Sequence, residues 1–357
     1  MLSKTENLLY GIVFSTMSAK KVYVAMSGGV DSSVSAALLK DQGFDVFGVF
    51  MQGWANPRFD CKWQDERQDG IRVAAQLEIP FRALDFSRDY YERVVSYLLE
   101  EYQQGRTPNP DVMCNKEIKF GLFYRWAMAQ GADFVATGHY VKKQNDKLFI
   151  AEDKNKDQTY FLWTLTPDII KCSLFPVGEY TKSQVREFAR SFNLPVAEKK
   201  DSQGVCFIGE GSMVDFLRDQ IKTHPGEIVT AGGKRVGEHD GIELYTIGQR
   251  HGIGSPGGGA TYYVAEKNAD TQTLVVAESD QDPILYKQEL AYHGANWIEK
   301  INFPFECDAR IRYRAPLAKC VVYEDKVIFA EPQRAIAPGQ SIVFYKNNQM
   351  LGGGVID

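Results

Sequence analysis

Residues 21–43 read K-V-Y-V-A-M-S-G-G-V-D-S-S-V-S-A-A-L-L-K-D-Q-G, and this stretch decides the fold. Lys21 to Met26 is a short β-branched and aromatic run, so it predicts a strand. Ser27 to Ser33 is a glycine-bearing turn, and from Val34 the apolar positions Val34, Ala37 and Leu38 recur at helical spacing until Gly43 stops them. A strand, a glycine turn and a helix start together make an anion site: glycine lets the backbone approach a phosphate, and the free N–H groups and helix dipole face it. The hydroxyls of Ser27, Ser32 and Ser33 are read as further donors.

The same alternation continues through strands expected at Asp45 to Met51, Phe81 to Asp85 and Phe134 to Thr137. The implied fold is α/β, a doubly wound parallel sheet whose ligands sit beyond the carboxyl ends of the strands. The turn lacks the Gly-Lys-Ser/Thr ending of a Walker A loop. S-G-G-V-D-S instead resembles the loop of the PP-loop ATP pyrophosphatase superfamily, whose members break ATP between the α and β phosphates. That resemblance implies ATP as substrate, with Ala25, Met26, Ser27, Gly28, Gly29, Val30, Asp31 and Ser32 lining its site and Asp31 holding Mg2+ on the pyrophosphate. At later strand ends, Met51 is a candidate for flanking the adenine, with core packing an equal alternative, and the Gly138 backbone is a candidate for reading its edge.

The chain has 357 residues, 44% hydrophobic and 24% charged, enough for a large core and two or three domains. No apolar run approaches the roughly 20 residues that span a bilayer, so no membrane helix is expected. A net charge of -5 excludes a uniformly basic nucleic-acid coat but not a local phosphate-binding patch. The six cysteines include no pair at the two-residue spacing of zinc or thioredoxin-like motifs, so structural zinc and a disulfide scaffold are poor readings. Residues 1–20 read as an N-terminal extension with Met17 as an alternative start, and a cytoplasmic location is expected.

Two cysteines stand apart from the apolar settings of Cys172, Cys307 and Cys320, which read as inert buried thiols. Cys114 lies in R-T-P-N-P-D-V-M-C-N-K-E-I-K-F (106–120), a segment read as a loop before a helix, three positions after Asp111 and close to Lys116 and Lys119, which favour a thiolate. Cys206 lies in K-D-S-Q-G-V-C-F-I-G (200–209), another glycine-bearing loop. Two loop thiols after an ATP-activating motif suggest covalent sulfur chemistry. An amidotransferase synthetase or a lysidine-type ligase of the same superfamily needs no such pair.

N-P-D-V-M-C-N (109–115), A-T-G-H-Y (136–140), K-D-Q-T-Y-F-L (156–162), D-S-Q-G-V-C-F-I-G (201–209) and Y-T-I-G-Q-R-H-G (245–252) together resemble the tRNA-specific 2-thiouridylase (MnmA/TrmU) family from about Lys21 to the C-terminus. Thr159 and Gln203 depart mildly from it, standing where serine and threonine are usual. The resemblance implies a tRNA-uridine 2-sulfurtransferase that adenylates the wobble uridine's 2-oxygen and replaces it with sulfur. Cys206 would carry a persulfide, Cys114 would be its partner, and Asp111 would be acid or base. Asn109, Pro110 and Asp111 would meet the flipped base, and His139, Lys156, Asp157, Gln158, Arg312, Tyr313 and Gln340 would contact tRNA. The sulfur either attacks directly from the persulfide or leaves as sulfide while the two cysteines form a disulfide. The implied partners are tRNA (Lys, Glu and Gln acceptors) and a cysteine desulfurase or sulfur-relay carrier, acting on a monomer.

Domains are expected at 21–211 (catalytic), 212–280 (a small β-rich, tRNA-binding module) and 281–357 (a C-terminal β-barrel). The central module carries expected strands at Glu227 to Thr230, Glu243 to Ile247, Tyr262 to Glu266 and Leu274 to Ala277. In the last module Cys307 to Tyr313 reads as a strand on which Arg310, Arg312 and Arg314 share one face, a candidate phosphate stripe beside the plainer reading of a solvated face.

Overall fold

A computed structural model describes residues 19–56, 58, 63–201, 208, 211–253 and 261–357. Its first sheet contains β1 (Lys21–Ala25), β2 (Asp45–Gln52), β3 (Phe81–Asp85) and β4 (Phe134–Ala136). A hairpin of β5 (Lys142–Gln144) and β6 (Lys147–Phe149) follows, and then β7 (Ser173–Leu174) completes the sheet in the order β3-β2-β1-β4-β7. Every pairing in that order is parallel. The order reverses between β1 and β4, so the two neighbouring crossovers diverge there and leave a crevice at the strand ends.

Helices cover both faces of this sheet. α1 (Val30–Asp41) buries Val34, Ala37 and Leu38 against Val22 and Val24 of β1 and Val73 of α2 (Trp63–Gln76). On the other face Tyr23, Val49 and Val135 pack against Phe123 and Ala127. Those two belong to α4 (residues 110–129), which follows α3 (residues 87–103). Both helices contain π-helical turns, over Tyr91–Val95 and Cys114–Phe123, a winding frequent at functional sites. Beyond β7 comes α5 (Lys182–Ser191), whose Thr181 and Gln184 form a reciprocal capping box. Among the described residues no helix is long and apolar enough to cross a membrane.

α6 (Met213–Gln220) leads into a four-stranded sheet of β8 (Gly226–Thr230), β9 (Arg235–His239), β10 (Tyr263–Asn268) and β11 (Thr273–Ala277), in the order β10-β11-β8-β9. The strand expected at Glu243 to Ile247 is instead a single 3-10 turn, Ile242–Leu244, packed under the sheet. Gly241 before it and Gly248 after it both adopt positive φ, which breaks an extended run at each end.

The C-terminal part is a closed barrel. β12 (Tyr286–Trp297), β13 (Phe305–Arg310), β14 (Ala318–Val322), β15 (Lys326–Arg334), β16 (Ser341–Lys346) and β17 (Gln349–Ile356) pair in the order β12-β15-β14-β13-β16-β17, and β12 pairs with β17 to close the ring. β6 adds itself to β17, so the hairpin of the first unit extends the barrel's sheet. Strands β12 and β17 escaped the sequence reading because glycine and polar residues interrupt their alternation. β13 ends at Arg310, and Arg314 has φ 63°, so the three arginines do not form one strand face.

Candidate active site

A cleft of about 540 Å³ opens at the carboxyl ends of β1 and β4, the size of a small-molecule site. Ala25, Met26, Ser27, Gly29, Val30, Asp31, Ser32, Met51 and Gly138 all line it. Met26 and Val30 are 1% and 4% exposed, so they offer backbone rather than side chain. Gly28 turns the loop with φ 72°, and a Cβ there would lie 2.1 Å from the Glu66 carbonyl oxygen of α2. At Gly138 a Cβ would meet Ser32 N at 2.6 Å. Both glycines are there for close approach, and any side chain would spread the site.

The serines divide. Ser32 Oγ accepts from Ser27 N at 3.2 Å and lies 3.3 Å from Ser27 Oγ, bracing the loop. Ser33 is fully buried and donates to Gly29 O at 2.7 Å. Its hydroxyl is spent inside α1, which corrects its reading as a phosphate donor. Asp31 Oδ1 accepts from Tyr140 Oη at 2.8 Å and Lys182 Nζ at 2.6 Å, and Tyr140's own amide is held by Gln158 Oε1 at 3.0 Å.

Cys114 lines the opposite side of the same cleft. It does not stand on a loop: Asn109 caps α4, its Oδ1 accepting from Asp111 N at 3.1 Å and Val112 N at 3.2 Å, and Pro110 occupies the first turn. Asn109 and Pro110, expected to face a base, are therefore the start of the helix that carries Asp111 and Cys114. The thiol is half-buried, and burial pushes its pKa above the usual value despite the opposing charge of Lys119 and a hydrogen bond from Tyr90. The expected thiolate-favouring pair reduces to one, since Lys116 is exposed and pairs with Glu117. Asp111 keeps a solvent-facing side chain, yet the protein around it raises its carboxyl pKa, again against Lys119.

His139 is 6% exposed, and burial followed by the Lys119 charge holds its pKa well below 6.5, so the ring is neutral. Its Nδ1 lies 2.7 Å from Thr137 Oγ1 and its Nε2 3.5 Å from Lys119 Nζ. A proton on Nδ1 satisfies both contacts. Lys156, Gln158 and Tyr313 line the cleft with it, Tyr313 packed on Phe161 with ring centroids 4.4 Å apart.

Three other candidates for tRNA contact do structural work. Asp157 is 2% exposed; it accepts from Ala151 N, Thr159 N and Thr159 Oγ1, and from Arg310 Nη1 at 3.1 Å. A carboxylate so enclosed is unavailable to RNA, and its pairing removes Arg310 from any phosphate stripe. Arg312 Nη2 donates to Ile247 O at 2.5 Å and Ala335 O at 2.8 Å, clasping the central sheet's loop to the barrel. Gln340 Nε2 donates to Thr107 O at 2.7 Å and Pro108 O at 3.3 Å, steadying the approach to α4.

Cys206 lies outside the described residues. The described residues on either side belong to the cleft and its wall: Asp201 lines the cleft, and Ile208 is buried in the cluster that holds Tyr90 and Ile118, against which Cys114 packs. Burial works against the Asp201 charge, but hydrogen bonds from Lys156 and Lys182 and their charges bring its pKa down to about 2. Tyr90, Trp54, Trp63 and Glu66 also line the cleft and were not singled out by sequence, whereas Lys119, Lys200 and Arg314, which line it too, lie in segments the sequence had marked for other reasons. Tyr140 and Asp201 sit inside quoted motifs and had a signal; Tyr90 and Trp54 reach the cleft only through tertiary packing.

Three family models match in succession: the tRNA methyl transferase HUP domain over residues 20–210, the tRNA methyl transferase PRC-barrel domain over 214–278 and the aminomethyltransferase beta-barrel domain over 287–356. Full-length relatives carry the name tRNA-specific 2-thiouridylase MnmA. The one from Legionella pneumophila (strain Lens) is 45% identical, covering 94% of this chain and 98% of its own. Those from Halalkalibacterium halodurans and Bacillus subtilis (strain 168) are 46% and 44% identical, covering 94% of this chain and 94% and 95% of theirs.

Proposed function

Since the chain belongs to the tRNA-specific 2-thiouridylase family, we propose that it is a tRNA-uridine 2-sulfurtransferase acting on the wobble uridine, with the cleft described above as its active site. The observation that carries this assignment of the site is a single cleft lined by both the Asp31 phosphate loop and the Cys114 thiol. A uracil 2-carbonyl is a poor electrophile and its oxygen a poor leaving group. Adenylation cures both: the 2-oxygen bonds to the α-phosphorus of ATP, the α–β bridge breaks, and pyrophosphate leaves with the electron pair. The loop's backbone N–H groups and the N-terminus of α1 take the polyphosphate.

Mg2+ fits this donor set. It is a hard cation held by one or two carboxylates together with substrate phosphates, and Asp31 supplies such a carboxylate at the loop. Bound there, it would neutralise charge on the departing pyrophosphate. Among the described residues no group of three or more His, Cys, Asp or Glu forms a cage for a metal without phosphate.

Sulfur arrives as a persulfide on Cys206. Its terminal sulfur bonds to C2, either while still joined to Cys206 or after release, and AMP departs with the former 2-oxygen. Cys114 attacks the Cys206 sulfur, closing a disulfide that an external thiol must reduce before the next turnover. Asp111, its pKa raised, is suited to hold or give the proton that this exchange moves. Neutral His139 and Lys119 flank the base, which must leave its anticodon stack to enter. The partners are tRNA, with Lys, Glu and Gln acceptors, and a desulfurase or sulfur carrier.

The test is nucleoside mass analysis of tRNA after incubation with the protein, ATP, Mg2+ and an active desulfurase. Oxygen-for-sulfur exchange at the wobble uridine is expected with the wild type. Cys114→Ser and Cys206→Ser should give pyrophosphate but no thionucleoside. Unmodified tRNA despite active sulfur delivery to the wild type would overturn the assignment.

A further inference from the structure

Lys182 is the first residue of α5, directly after its Thr181 cap. A cation is unfavourable there, because the helix N-terminus already carries positive potential. Its side chain is also only 14% exposed, so the charge is partly desolvated. A residue that breaks a local rule in this way marks a site where something other than helix stability is served.

What it serves is visible in its contacts. Lys182 Nζ lies 2.6 Å from Asp31 Oδ1, on the phosphate loop, and 2.9 Å from Oδ1 of Asp201, which also lines the cleft. Its backbone N–H is anchored by Asp153 Oδ2 at 3.0 Å, and its ammonium sits 6.0 Å from the Tyr140 ring centroid. Asp201 is in turn held by Lys156 at 2.6 Å and Arg186 at 3.0 Å. Both donors to Asp31, Lys182 and Tyr140, fall on the same carboxylate oxygen. That arrangement fixes the plane of the carboxylate.

We propose that Lys182 is a positioning residue of the nucleotide site: it bridges Asp31 and Asp201 and holds the phosphate-loop carboxylate in one orientation before the nucleotide arrives. This inference rests on the adenylation reading above. Lys182 does not line the cleft, so it acts through Asp31. Without the bridge, two carboxylates near the polyphosphate lose a shared counter-charge, and Asp31 regains rotational freedom that the nucleotide must then remove.

The experiment is calorimetric titration of the full chain, without tRNA, with a non-hydrolysable ATP analogue and Mg2+. Removing an orienting partner of a ligating carboxylate typically costs about 10- to 100-fold, and Lys182→Met should weaken analogue binding by that much. Lys182→Arg, which restores the charge, should recover most of it. In an Asp31→Asn background, Lys182→Met should add little further loss, because the two act as one unit. A merely structural lysine would lower the melting temperature and leave binding by the folded protein unchanged. Wild-type affinity in Lys182→Met, or losses that multiply in the double variant, overturns the proposal. Should Lys182→Met not fold, Tyr140→Phe removes the other donor to the same oxygen and must also weaken binding. A wild type that binds no analogue at all overturns the adenylation reading itself, a result distinct from any of these.

Discussion

One lysine acts on the protonation of three neighbours, each of which burial shifts first. Lys119 opposes the upward shift of Asp111 and of Cys114, and it adds to the downward shift of His139. Replacing it by methionine should therefore raise all three titrations. At Cys114 the sign is concrete: the thiol already ionises above its usual range, and losing Lys119 moves ionisation further up, so less thiolate exists at neutral pH. The pH profile of iodoacetamide labelling at this cysteine should shift to higher pH in Lys119→Met; an unmoved or lowered profile contradicts the electrostatic account. Asp111→Asn should lower the thiolation rate by about 100-fold or more, the size of a lost general acid–base step, with ATP binding retained.

At the scale of elements, α4 deserves its position to a single cap. Asn109 satisfies two N–H groups at the start of the helix that carries Asp111 on its first turn and Cys114 on its second. Asn109→Ala should cost about 1 kcal/mol of stability in chemical denaturation, and Asn109→Asp should restore it. Activity should fall with the alanine variant and recover with aspartate, since either side chain caps but only the cap is lost in alanine. The N-P-D sequence was legible as a turn before a helix, whereas its closing geometry was not: propensity marks where a helix begins, and tertiary packing of Val112 and Phe120 against Tyr160 and Tyr345 decides that it begins there without a loop.

Across the whole molecule, α3 and α4, which carry Tyr90 and Cys114 to the cleft, are held from both sides. Tyr90, Val94, Leu98 and Ile118 share a core with Ile228, Leu274 and Val276 of the central sheet, while Val112 and Phe120 share another with Val343, Tyr345 and Met350 of the barrel. The three units meet at the root of α4, where Thr107 N donates to Pro338 O at 2.8 Å, Gln340 reaches Thr107 O, and Arg312 ties Ile247 to Ala335. RNA bound on either flank therefore bears on the helix that carries the thiol. Arg312→Met leaves two carbonyls without their donor and should cost about 2 kcal/mol. Thiolation should fall while binding of the ATP analogue stays intact; unchanged stability and activity together would contradict the clasp.

The chain's own order of residues determined the parallel α/β unit and its phosphate loop, because strand alternation, glycine turns and helical spacing are local properties that neighbours along the chain already express. Only the tertiary structure decided which polar and charged residues are free to meet a ligand. Asp157, Arg310, Arg312 and Gln340 look alike in sequence to residues that contact RNA, yet each spends its hydrogen bonds inside the protein, on partners from 2 to 233 positions away. A side chain's availability depends on which distant groups the fold brings within about 3 Å of it, and no local pattern records that.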